Sequence, residues 1–236
     1  MRLARLVWFD VRYQWRHRYY LVYLIVCAAY VGILHAIPEA YTKDALVLLT
    51  FSDPAALGLL LAGSIVLLER DQGIWHALFS TPLRAWEYLA SKCVSLGFLS
   101  LLAALAIHLP VSGLPQAPYA FVSGIVLSSF FFTLTGIAAA LNSRSINGFL
   151  IRSQLYALPF ALPVLGYLDV ASLPAIRLLP SSGSLTLISG SVRQIIPAEI
   201  GYAIAILILW LIGAGLFSRT LLMMNTRQRG EHNDSE

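Results

Sequence analysis

Charge is scarce in this chain: Asp, Glu, Lys and Arg make up 12% of its 236 residues, whereas 58% are hydrophobic and the mean hydropathy is +0.74. A fold surrounded by water would have to expose large apolar patches at this composition, so a bilayer is the solvent that fits. Cysteine is also scarce. Cys27 and Cys93 lie in or beside apolar runs, which argues against a disulfide framework and against reactive thiols. No G-x-x-x-x-G-K-[ST] segment is present to cradle phosphates, so the chain is expected to hydrolyse no ATP. It also lacks H-E-x-x-H, Cys-x-x-Cys and paired-carboxylate patterns. The histidines His17, His35, His76, His108 and His232 are scattered, so no catalytic or metal residue is expected, and no repeat of short period appears.

What is present is long apolar runs. Six are long enough to span a bilayer: Tyr19 to Ile37, Ala45 to Leu68, Cys93 to Gly113, Tyr119 to Leu141, Gln154 to Leu168 and Ala198 to Phe217. Together they predict one all-α polytopic domain over residues 1–236. The fifth run carries Pro159 and Pro163 on one face, which predicts a bent helix. The first run ends without a small-residue cleavage site and reads as an uncleaved span.

The net charge of +4 and pI near 9.2 do not indicate nucleic acid, because the basic residues flank the apolar runs and form no long stripe. They set topology instead. With both termini cytoplasmic, thirteen Lys and Arg lie inside, leaving only Lys43, Arg177 and Arg193 outside.

Ahead of the first span, Leu3, Val7, Val11 and Trp15 recur at helical spacing while Arg5, Arg12 and Arg16 fall off that stripe. This predicts an interfacial helix over residues 1–18. Its arginines read either as contacts to anionic membrane lipid or as topology signals alone. Between spans five and six, residues 169–197 are broken by Pro174, Pro180, Gly183 and Gly190, so nothing there crosses; two short outer helices, about Ser172 to Leu179 and Ser184 to Arg193, are expected. The composition of residues 230–236 is that of a disordered tail.

The loop of residues 69–92, between spans two and three, is too dense in signals for a passive connector. Gly73 interrupts the helix leaving the membrane, and Thr81 with Pro82 reads as an N-cap and first helical residue of the next. Trp75, His76 and Phe79 then sit on a short transverse helix, available to a protein partner or anchored among headgroups.

The run from Glu69 to Lys92, with Gly73, Thr81-Pro82-Leu83-Arg84, Glu87-Tyr88-Leu89 and Lys92, resembles the first cytoplasmic loop of ABC-2-type exporter permeases. The six spans, the N-terminal amphipathic helix and the paired short helices fit that family along nearly the whole chain. Within it the sequence is most similar to small permeases of the fluoroquinolone-export type, a match strengthened by His35-Ala36-Ile37-Pro38-Glu39, Ser145-Ile146-Asn147 and Leu178-Leu179-Pro180. Haem-exporter permeases of the cytochrome c maturation type are a more distant likeness. The resemblance implies a prokaryotic inner-membrane half-transporter. A second permease chain, identical or not, would complete the pathway, and two ATP-binding subunits holding ATP and Mg would dock beneath it. The coupling segment would be about Gly73 to Ser80, with Glu69, Gly73, Trp75, His76, Phe79, Thr81, Pro82, Arg84 and Glu87 as the coupling-loop residues.

Ionisable residues inside spans are functional candidates because hydrocarbon penalises them. Asp53 stands out, yet Ser52-Asp53-Pro54 also has the form of a helix cap followed by proline, so pathway and cap are both open. The sparse charge favours an apolar or amphipathic small molecule as cargo; an ion-coupled secondary transporter is the alternative, with Asp53 as its thin support. Span four carries Gly124, Ser128, Ser129, Thr133, Gly136 and Ala140, small residues that permit close packing within the chain or across a dimer.

Overall fold

The structure is a computed structural model that describes residues 2–75, 83–143, 145–168, 170 and 174–233. The described residues form helices and no strand, and six helices are long and apolar enough to cross a membrane.

Helix α1 (Arg2–Arg16) lies ahead of the first span and packs on α5. The spans are α2 (Tyr19–Ala36), the continuous rod α3 (Glu39–Ala56), π segment (Leu57–Leu61) and α4 (Ala62–Asp71), then α5 (Ala85–Ser112), α6 (Pro118–Leu141), α7 (Ile146–Tyr167) and α9 (Pro197–Asn233). Between α7 and α9 come a 3₁₀ turn (Pro174–Leu178) and the short α8 (Pro180–Ser189). The sixfold crossing brings both chain ends to one side, here called the terminal side. Helix α9 extends through residues 230–233, which composition had assigned to a tail.

Two sequence expectations are corrected, one in the rod and one in the outer segment. Ser52-Asp53-Pro54 is not a helix start: Asp53 and Pro54 lie inside α3, and the helix runs on through them. Proline removes one N–H and crowds the preceding turn, but hydrocarbon offers the backbone no water, so the chain stays helical and absorbs the misfit in a π segment three residues later. In the outer segment, α8 begins at Pro180, not Ser184, because proline at the first helical position costs no hydrogen bond. Pro159 and Pro163 sit inside α7, which also continues through them.

The core forms around α6, whose span is 83% buried within this single chain. Its small residues all pack inward. Ser129 pairs with Ser100 of α5 at 3.1 Å, Ser128 donates to Ser184 of α8 at 2.6 Å, and Gly136 lies against the backbone of Gly58 and Leu59. A Cβ at Gly136 would stand 2.6 Å from the Gly58 carbonyl, so only glycine allows this approach of the π segment to α6. By contrast α2, α7 and α9 bury only 11%, 17% and 17% of their apolar windows and turn the rest outward.

Candidate functional site

The loop of residues 69–92 leaves the rod at Asp71 and returns at Ala85. Gly73 adopts φ +70°, in the left-handed region glycine accepts, and its N–H donates to the Arg70 carbonyl, closing the helix end as its sequence position suggested. The return helix starts three residues later than Pro82. Arg84 is its extended N-cap, and the Glu87 carboxylate accepts from the Arg84 N–H at 2.9 Å, satisfying a donor the helix leaves free. His76, Phe79, Thr81 and Pro82 lie outside the described residues.

Where the two stems of the loop meet α1, a group of buried charges is assembled. Lys92 of α5 donates to Asp10 of α1 at 2.6 Å and to Glu69 of α4. Tyr88, one turn before Lys92, donates its hydroxyl to the other oxygen of Glu69 at 2.7 Å, and the Lys92 ammonium sits 5.3 Å from the Tyr88 ring centroid. The three ionic side chains are 2–6% exposed. One turn further along the same pair of helices, Gln14 of α1 donates to Ser95 of α5 at 3.2 Å. Asp10 with Gln14 and Lys92 with Ser95 therefore form a ladder that clamps α1 to α5. Charges are costly to bury unless paired, and here each stem of the loop contributes a sign the other needs. Tyr13 faces the same region from α1; burial first, then Tyr19 and Glu69, pushes its hydroxyl above the ordinary phenol range, so it stays neutral.

Trp75, expected to be available to a partner, is 4% exposed and meets the Tyr88 ring edge to face at 6.3 Å. The indole packs in the apolar cluster that also holds Tyr88, Leu89 and Leu67. Trp15 is the reverse case. It stands 72% exposed, while Asp10 and Gln14 of the same helix are buried. Sequence reasoning missed Asp10 as a site residue; its signal was that it is the sole acid among the first 37 residues, one turn from Gln14. Glu69 lies at the end of α4 and Glu87 in the first turn of α5, and Arg84 caps the return helix.

Asp53 is 2% exposed, and its Oδ2 has no hydrogen-bond partner among the described residues. It is not among the residues that line a cavity of about 380 Å³ along the same rod, walled by Phe51, Ser52, Ala55 and Leu59 of the rod, Phe132 of α6 and Phe160 of α7. Almost wholly apolar, this cavity is of a size that takes a small molecule. A second cavity, about 500 Å³, opens between α1 and the loop, walled by Phe9, Arg12, Tyr13, Arg16, Gln72 and Ile74. His108, near the far side, is buried with Nδ1 2.9 Å from the Gly113 carbonyl, and His35 is exposed with Nδ1 2.8 Å from the Val31 carbonyl. The described residues contain no group of three or more His, Cys, Asp and Glu able to hold a metal.

Six helices long and apolar enough to span, with an apolar cavity along the continuous rod, define a multi-pass membrane protein. The chain matches the Fluoroquinolones export permease protein family over residues 1–227 and belongs to it. It is similar to the fluoroquinolones export permease proteins of two strains of Mycobacterium tuberculosis, each 32% identical over 155 residues. That alignment covers 64% of this chain and 65% of each relative, just under two thirds of the relatives' length.

Proposed function

We propose that this chain is the membrane subunit of an ATP-driven ABC exporter of the ABC-2 type, moving aromatic, drug-like amphiphiles out of the cytoplasm. Its relatives carry fluoroquinolone export in their names, and family membership supports a transport subunit that relies on a separate ATPase. One observation carries the mechanical reading: a single helical rod bears Glu69 at its loop end and Phe51, Ser52, Ala55 and Leu59 of the cavity wall further along. A push on the loop therefore reaches the cavity through the rod, and the π segment is its yielding point. Lys92 makes this possible by fixing both stems and α1 as one body.

In this reading, two ATP-binding subunits holding ATP and Mg dock under the loop, with the basic cleft of Arg12 and Arg16 beside it. Two permease chains, identical or paired with a relative, complete the pathway, and both termini face the cytoplasm of a prokaryotic cell. Residues 73–80 transmit closure of the nucleotide sandwich.

The test is affinity purification of the tagged protein in mild detergent, with identification of co-purifying chains and an ATPase assay, repeated with Phe79→Ala. Recovery of an ATP-binding chain that Phe79→Ala weakens supports the exporter. Absence of any ATPase across several detergents, with the permease still folded, refutes it and leaves ion-coupled transport through Asp53 to be examined.

A further inference from the structure

Helix α1 ends at Arg16 and the first span begins at Tyr19, while the rod ends at Asp71, one residue before Gln72. The cleft of about 500 Å³ between α1 and the loop therefore opens where two spans leave hydrocarbon, at the level of lipid headgroups. Its α1 wall is one helix face: Phe9, Arg12, Tyr13 and Arg16 recur at i, i+3, i+4 and i+7. Gln72 and Ile74 form the opposite wall. Each wall thus combines an apolar surface with a side chain that donates hydrogen bonds.

The cleft carries positive charge that the described residues do not neutralise. Arg12 and Arg16 are exposed and make no hydrogen bond or ion pair among the described residues. Asp10, the sole acid of α1, is buried against Lys92, and Asp71, at the end of the rod, stands 3.7 Å from Arg70. Two guanidinium groups one turn apart present planar forks of donors that match the oxygens of a phosphate. Trp8 and Trp15, one turn to either side of Arg12, stand 68% and 72% exposed. Indoles with an apolar body and a polar N–H settle at the headgroup layer, where both find partners, and this favours a membrane over an acidic protein surface as what covers the face.

We propose that this cleft binds the headgroup of one anionic phospholipid of the phosphatidylglycerol kind. Arg12 and Arg16 hold the phosphate, the Gln72 amide meets a headgroup hydroxyl, and Phe9 and Ile74 line the way of the glycerol backbone toward the bilayer. The bound lipid joins α1 to the loop stem, the two elements that Asp10, Lys92 and Glu69 also join inside the protein. A cleft with two walls distinguishes such a site from the general attraction of basic residues to an anionic surface: it reads a headgroup at one place, not net charge. The proposal asks nothing of the export reading and holds whether or not an ATPase binds the chain.

Native mass spectrometry of the delipidated full-length protein in detergent, titrated with dioleoylphosphatidylglycerol or with dioleoylphosphatidylcholine, reads how many lipids bind and how tightly. Wild type is expected to take phosphatidylglycerol in preference to phosphatidylcholine. The double variant Arg12→Gln with Arg16→Gln should weaken that binding about tenfold, and Gln72→Glu, which sets an acid in the opposite wall without touching α1, should weaken it as well. Arg152→Gln removes an exposed arginine near the start of α7, outside the cleft, and should leave the binding unchanged. All four positions are exposed, so the variants are expected to melt with wild type. No headgroup preference in wild type, undiminished affinity in either cleft variant, or an equal loss in Arg152→Gln overturns the proposal. Displacement of the lipid by an equal concentration of glycerol 3-phosphate would make this a site for a free phosphate ester, and cleft variants that keep the lipid but lose a co-purifying ATPase would give the arginines to an acidic protein surface; either result also overturns it.

Discussion

Lys92 and Asp10 stand 2.6 Å apart, nitrogen to oxygen, across 82 positions of the chain, and Lys92 also holds Glu69 at the loop's other stem. Removing the ammonium leaves two carboxylates buried without their counter-charge. Lys92→Met is expected to destabilise the protein by about 3–5 kcal/mol, read as a lowered melting temperature in detergent. Adding Asp10→Asn and Glu69→Gln to that variant should recover most of the loss. If Lys92→Met melts with wild type, the cluster contributes no structural clamp.

Trp75→Ala removes a buried ring from between the loop stem and Tyr88. A cavity of that size costs about 3 kcal/mol or more, whereas Trp75→Phe retains most of the packing. The ordering wild type, then Trp75→Phe, then Trp75→Ala in thermal stability is expected without any ATPase present. A Trp75→Ala protein as stable as wild type, but poor at retaining a partner, would instead put the indole in the docking surface.

Much of this fold was legible because hydrocarbon permits few solutions: twenty apolar residues between polar flanks read as a span whatever their tertiary contacts. The break at Pro174, Pro180 and Gly183 likewise announced that residues between spans five and six do not cross. Of the two readings left open for Asp53, the cap came from local rules by which Ser-Asp-Pro starts helices in water, and only the surrounding helices show that this backbone stays helical. The candidate site was half visible. Glu69, Gly73 and Glu87 carry local signals, but the clamp depends on Asp10 meeting Lys92, and no periodicity within α1 or α5 encodes that distant pairing. Trp75 was placed on the surface because an aromatic beside a helix end looks the same in sequence whether it meets a partner chain or its own Tyr88.

Asp53 tests which energy source drives transport. Its Oδ2 lacks a partner among the described residues, so Asp53→Asn, nearly equal in volume, is expected to preserve stability or raise it by about 1–3 kcal/mol. Export driven by ATP should survive the change in reconstituted vesicles. Loss of export with ATPase activity intact would make Asp53 an ion-coupling residue and revive the secondary-transport alternative.

Gly136 and Gly32 form a matched pair of helix glycines in opposite settings. A Cβ at Gly136 meets the backbone of the π segment, which cannot swing aside, and Gly136→Ala is expected to cost about 1–3 kcal/mol. A Cβ at Gly32 meets nothing within 4 Å, so Gly32→Ala should be neutral or gain about 0.5–1 kcal/mol from helix propensity. Melting both variants in one detergent separates close packing from propensity; equal shifts would mean that the π segment and α6 are not in intimate contact.

The cavity wall offers the most direct test of the pathway. Ala55 faces the cavity of about 380 Å³ from the rod, between Phe51 and Leu59, and a larger side chain there grows into open space. Ala55→Phe is therefore expected to leave melting temperature within a degree or two of wild type, because it displaces no packed neighbour and adds apolar area beside Phe132 and Phe160. It should nevertheless abolish protection of cells against an aromatic drug while the ATPase still co-purifies and turns over, since the loop and its ion clamp lie at the far end of the rod. Retained protection with the cavity filled would move the pathway elsewhere, and the outward apolar faces of α2 and α7 would be the next surface to substitute.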